Sequence, residues 1–209
     1  MDMDPKSEEQ QIGLSGTGLR RRALDTLLLC TGDMVHVDKA IQDKLFVLQL
    51  VVWCLRGVAQ VTLTNNPLGG ALILAALFWD SPWQCLLGSL GVLTSTLTAV
   101  IMHQDRAEVS AGQHGFNGML VSLLMVAFSS AGDCYWWLVL PVCLGSATCV
   151  FLFSGLFSVL DRWDLPVSVF PFNIVIFYLL CTGPDNPYFP THLGTPPGVL
   201  EPNSTQLQA

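Results

Sequence analysis

Gln60 lies in RGVAQVTLTNNP, inside an apolar run, and carries an amide that both donates and accepts hydrogen bonds. Such a group is costly at membrane depth unless it meets a partner or water. The position therefore reads either as a binding group or as a hydrogen bond between helices. Arg56 precedes it by one helical turn on the same face, placed to snorkel or to pair with Asp80, Asp105 or Asp161. Asn65-Asn66-Pro67 adds two amides where Pro67 bars a regular helix from continuing. Further on, QDRAEVSAGQHGFN combines Asp105, Arg106 and Glu108 with His114, Phe116 and Asn117.

An enzymatic reading would require those last groups to converge on one site, and no spacing matches H-E-x-x-H, G-x-S-x-G or a zinc pattern. The four histidines (His36, His103, His114, His192) are scattered, so no metal is implied. No Walker loop or dinucleotide fingerprint calls for a cofactor, and no basic, aromatic-laced surface calls for nucleic acid. The seven cysteines form no C-x-x-C pair and read as small core hydrophobes. This is not an enzyme by its motifs.

The elements that must position these residues are membrane helices. The 209 residues are 51% hydrophobic and 12% charged, about half the charged share of an ordinary soluble domain. Apolar segments at 45–64, 67–79, 83–102, 115–131, 134–160 and 167–182 are separated by NNP, DSP, HQDRAEVSAGQH, SAGD and DRWDLP. The net charge of −7 carries little functional weight, because Asp2, Asp4, Glu8 and Glu9 sit in a polar tail. Six of the nine positive charges lie at or before Lys44, including Arg20, Arg21 and Arg22, which places the N-terminus in the cytosol. MDMDPKSEEQ is acidic and does not read as a cleavable signal. The expected organisation is a cytosolic segment 1–44, with DMVHVDKAIQDK as a surface helix, a membrane unit 45–190 and an extracellular Pro-rich tail 191–209.

That tail holds the sequon Asn203-Ser204-Thr205, a candidate glycosylation site at Asn203. Six full crossings from a cytosolic N-terminus would return Asn203 to the cytosol, whereas five would leave it outside. One apolar segment would then enter without crossing. DLPVSVFPFNIVIFYLL, with Pro166 and Pro171 at its mouth, is the expected re-entrant half-helix, about 24 Å long at 1.5 Å per residue; the competing reading is an ordinary kinked span.

LRGVAQVTLTNNPLGG, LTSTLTAVIMHQDRAEVSAGQHGFNGMLVSLLMVAFS, DCYWWLVLPV, RWDLPVSVFPFN and NPYFP closely resemble the first half of vertebrate urea transporters, over residues 32–190. The resemblance implies an all-α polytopic fold of five transmembrane helices plus one re-entrant half-helix, equivalent to one of two inverted repeats, in a plasma-membrane glycoprotein that forms trimers. The implied activity is passive passage of urea through a flat slot. Position by position, it puts Gln60 at an outer binding site, Val61 along the path, Phe116 and Leu120 on an apolar wall, and Phe172 and Asn173 at the half-helix entry. Carbonyls of that half-helix would join a row of acceptors.

Three departures accompany the resemblance. Leu63 stands where the family has a slot phenylalanine, Val169 where it has a pore threonine, and Gln113 where it usually has leucine, so Gln113 could add a polar contact. Ser168, about 100° around a helix from Val169, is poorly placed to substitute for the hydroxyl. The resemblance covers one half, so three readings stay open: a urea pathway, a non-conducting subunit that associates with full-length transporters, and a portion of a longer gene product. A parallel homodimer would not supply the inverted second half.

Overall fold

The computed structural model describes residues 45–129, 134–182 and 185–191. The segment 1–44, on which the expected surface helix falls, most of the tail and Asn203 lie outside them. Seven α-helices occur in the described residues: α1 Phe46–Gln60, α2 Pro67–Asp80, α3 Pro82–Ile101, α4 Arg106–Ser110, α5 Gln113–Phe128, α6 Val139–Leu160 and α7 Phe170–Leu180. α3 and the stretch Trp136–Trp163, which contains α6, are long and apolar enough to cross a membrane. Exposed Leu140, Leu144, Phe151 and Phe157 on α6 form the surface such a helix turns to lipid, and the shorter α2 likewise exposes Leu72, Phe78 and Trp79.

The helix starts follow local chemistry. Asn66 caps α2, its Oδ1 accepting from the Leu68 and Gly69 amides at 2.9 and 3.4 Å, while Pro67 occupies the first turn. Ser81 caps α3 through Gln84 N at 3.3 Å, again before a proline. Asn66→Ala is expected to lower thermal stability by about 1 kcal/mol, measured as a shift in detergent-solubilised melting; an unchanged melt would show that the cap contributes nothing.

Packing between the helices rests on small residues and hydroxyls, as expected where lipid removes the hydrophobic drive for helices to associate. Gly91 on α3 and Gly118 on α5 approach so closely that a Cβ on either would overlap the other's carbonyl. Ser95 Oγ donates to the His114 carbonyl at 2.6 Å, and Ser146 Oγ on α6 donates to the Gly118 carbonyl at 3.4 Å. Thr96, Thr98, Ser122 and Thr148 each return their hydroxyl to the carbonyl four residues back, which satisfies them without a partner helix.

These contacts also fix directions. Trp53 clusters with Ala99, and Val58 with Val92, so α1 runs antiparallel to α3. α2 is joined to α3 by Ser81 alone, and Cys85 Sγ reaches the Leu74 carbonyl at 3.5 Å, so α2 is also antiparallel to α3. α1 and α2 therefore point the same way. Gly70 lies flat against the Leu55 carbonyl, so α2 starts alongside α1 rather than above its end. The chain must turn back within 61–66, and Leu63, at φ 58°, makes the reversal.

Since Val58 lies level with Val92, in the middle of α3, Gln60 ends α1 about halfway along the bundle. α5 is antiparallel to α3 and α6, and α7 runs with α5, Gly145 being wedged between Val121 and Val175. α7 is entered through a non-helical lead-in and leaves at the end where α5 finishes. There Tyr135 Oη donates to the Pro187 carbonyl at 2.5 Å, Ser129 bridges Thr191, and Phe189 is wholly buried against the core.

The helical fold with one half-length, returning element thus stands, but its identity changes. α7 with its lead-in completes a passage from one end of the bundle to the other, and α1 is the element that stops halfway and turns back. Phe46 and Thr191 consequently lie at opposite ends, the odd parity expected. Hydropathy reports the length of an apolar run and not its direction, so it does not distinguish α1 from 167–182 as the half-length element.

Candidate functional site

Three helix ends meet halfway along the bundle: the carboxyl end of α1 and the amino ends of α5 and α7. Gly112, at φ 77°, starts α5 against the backbone of Arg56 and Gly57, leaving no room for a Cβ. Gln60 Nε2 donates to the Ala111 carbonyl at 3.0 Å, and Arg56 Nη1 donates to the Ser110 carbonyl at 3.2 Å. Arg56 is 2% exposed and does not snorkel; its Nη1 ties the α4–α5 connection to α1.

The Gln60 amide is thereby oriented. Its nitrogen faces the α5 connection, while Oε1 accepts no hydrogen bond among the described residues. An oriented acceptor, at the carboxyl end of a helix whose dipole is also negative there, suits a ligand rich in N–H donors. Val61 continues from Gln60 and is partly buried beside the Val58, Val92 and Met119 cluster. Leu63 departs from the expected wall. It is 89% exposed in the reversing turn, so it does not follow Gln60 on a common helical face.

Phe116 and Leu120 are both partly buried and lie one turn apart on α5. The next residue, Asn117, joins this helix to the mouth of α7: its Nδ2 donates to the Ser168 carbonyl at 3.2 Å and its Oδ1 accepts from Phe172 N at 3.3 Å. Phe172 packs on the main hydrophobic cluster, whereas Asn173 is exposed and returns its Nδ2 to the Val169 carbonyl at 2.9 Å. Val169 is 41% exposed. The structure therefore brings Gln60, Val61, Phe116, Val169, Phe172 and Asn173 around the first turns of α5, with Leu120 one turn farther along, and leaves Leu63 outside.

Two local expectations change at this mouth. Ser168 and Val169 precede α7, with Ser168 at φ 38°, so a 100° helical offset does not describe them. The end of α7 that reaches half depth is an amino end, whose unpaired groups are N–H donors. Acceptors at this level come instead from Gln60, the end of α1 and the lead-in before Phe170. Gln113 is exposed and makes no side-chain hydrogen bond among the described residues.

Beside this junction, His114 is buried at 1% exposure, its ring against Phe153 at 4.6 Å between centroids. Its Nε2 lies 3.4 Å from Glu108 Oε2, but the geometry is not that of a hydrogen bond. Burial, with Asp105 adding to it, raises the Glu108 carboxyl above the ordinary range. No group of three metal-ligating side chains occurs among the described residues. Asn117 is the functional candidate that motif reading missed as a site residue, although a polar amide in an apolar helix is itself a signal.

Residues 51–209 match the family model described as Urea transporter. Urea transporter 1 of Ovis aries is 44% identical over 194 residues, which cover 90% of this chain and 50% of that protein; urea transporter 1 of Capra hircus gives the same values. Urea transporter 1 of Mus musculus is 43% identical over 201 residues, covering 96% of this chain and 51% of that protein. The chain spans about half the length of the curated relatives it matches.

Proposed function

Because the chain belongs to the urea transporter family, we propose that it forms one half of a passive urea pathway across the plasma membrane, as a multi-pass protein with a cytosolic N-terminus. The observation that carries this reading is the meeting of three helix ends at half depth, with the Gln60 Oε1 acceptor turned away from its one partner, the Ala111 carbonyl. Irregular backbone at that depth is tolerated where it lines a cavity. Urea is flat and offers four N–H donors and one carbonyl. Gln60 and the carboxyl end of α1 supply acceptors, Val61, Phe116 and Leu120 supply apolar faces, and Val169, Phe172 and Asn173 form the mouth of α7.

The test is urea flux into proteoliposomes containing the purified chain, with a full-length relative as the positive control. Acceleration over empty vesicles is expected, and Gln60→Leu should slow it about tenfold, the equivalent of one lost hydrogen bond of about 1.4 kcal/mol. No acceleration beside an active control would sink autonomous transport. It would favour the second reading, a non-conducting subunit of full-length transporters, which is motivated by the apolar exposed face of α7. Ile174, Phe177, Tyr178, Asn173 and Cys181 line a shallow cavity of about 630 Å³ there. Co-purification with the full-length relative, in trimers of mixed composition, tests that reading.

A further inference from the structure

We propose that Asn117 is the positioning residue for the mouth of α7, replacing from a neighbouring helix the N-cap that α7 lacks. The inference rests on the permeation reading for its functional consequence, and on geometry alone for the cap.

The first turn of α7 leaves four backbone positions to be satisfied. Phe170 N bonds the Val167 carbonyl at 3.1 Å, Pro171 has no N–H, and Asn173 N bonds the Val169 carbonyl at 3.3 Å. Phe172 N has only Asn117 Oδ1, at 3.3 Å. The local cap position is Val169, whose side chain cannot accept a hydrogen bond, and no side-chain cap is formed within the segment. Asn117 is 1% exposed, so no water competes for its amide. The opposite end of the same amide donates to the Ser168 carbonyl at 3.2 Å and, more weakly, to Gln113 O at 3.5 Å.

Donor and acceptor must therefore both be present, and in this orientation. A flipped amide would set its NH2 against Phe172 N–H and its oxygen against two carbonyls. The lead-in needs such a restraint because Asp164 and Ser168 both hold left-handed backbone, at φ 58° and 38°. By fixing the Ser168 carbonyl on one side and Phe172 N on the other, Asn117 sets the direction of the intervening peptide groups. Those groups lie at about the level of Gln60 and Phe116. Asn117 acts through them and need not touch the permeant.

Amide hydrogen exchange of the full chain in detergent, followed on peptides covering 166–174, separates this role from general stability. Asn117→Leu, close to isosteric but apolar, should speed exchange at Phe172 at least tenfold while peptides of α6 keep their protection. Asn117→Asp keeps an acceptor for Phe172 N–H but loses the donor to Ser168. It should retain most of the protection at Phe172, and urea flux should fall in both variants. If exchange at Phe172 is unchanged in Asn117→Leu, or equally fast in both variants, the proposal is overturned. Faster exchange with unaltered flux would overturn its functional half. A parent chain without flux would count against the permeation reading, and the exchange pattern would still decide the role of Asn117.

Discussion

Gly118→Val is expected to yield almost no monodisperse protein in detergent, with a loss of stability of at least about 3 kcal/mol. Any side chain at 118 meets the Gly91 backbone on α3, with the Gly91 carbonyl carbon 3.0 Å from the added Cβ. It also meets Ser95 Cβ at 2.6 Å. Backbone cannot swing aside as a long side chain can, so α3 and α5 must separate. Separation would break the Ser95 to His114 bond, and the Ser146 bond to Gly118 O would be strained with it. These contacts lie at the depth where the three helix ends meet, so the loss reaches the site directly. Gly155, with nothing within 4 Å of an added Cβ, is the matched control; Gly155→Ala should be neutral or stabilising by up to about 1 kcal/mol. Comparable yields and melting temperatures for the two variants would show that the close approach of α3 and α5 is not what holds the bundle.

The sequence carried the helices further than it carried their arrangement. Apolar runs 67–79, 83–102 and 134–160 correspond closely to α2, α3 and α6, because prolines and capping residues mark several boundaries at both chemical and structural levels. The run 45–64 reads as one apolar segment, yet helix stops at Gln60. Val61 to Leu63 are as apolar as the residues before them, and only the tertiary contact of Gln60 with Ala111 and the reversal at Leu63 reveal the end. The same limit applies at the other junction. VSVFPFN contains a proline that is equally at home in the first turn of a helix or in a loop, so the sequence did not separate the lead-in from α7. The side chains that settle it, Asn117 and Ser168, lie 51 residues apart. Motif spacing has no access to a bond of that separation, whereas the family resemblance named residues in both neighbourhoods.

Val169→Thr is expected to raise urea flux without raising stability, and the two halves of that statement have separate causes. Threonine is nearly isosteric with valine, and at a helix start its hydroxyl ordinarily adds about 1 kcal/mol by accepting from the second or third amide of the helix. Neither is available here. The second position is Pro171, and the third, Phe172 N, is already held by Asn117. The backbone at 169, φ −89° and ψ −6°, is also helical rather than extended, which turns the side chain away from a capping geometry. The new hydroxyl is therefore left for the permeant. If a urea N–H passes residue 169 unpaired, supplying an acceptor removes a penalty of about 1 to 3 kcal/mol, or roughly 5- to 150-fold in rate. Stopped-flow urea flux with water permeability as the internal control reads the first half, and the melting temperature reads the second. A melt raised by the equivalent of about 1 kcal/mol with no gain in flux would mean that the hydroxyl caps α7 after all, and would remove Val169 from the pathway. A selective gain in urea flux at constant stability would instead place residue 169 on the pathway and show that one missing oxygen at the mouth of α7 limits passage.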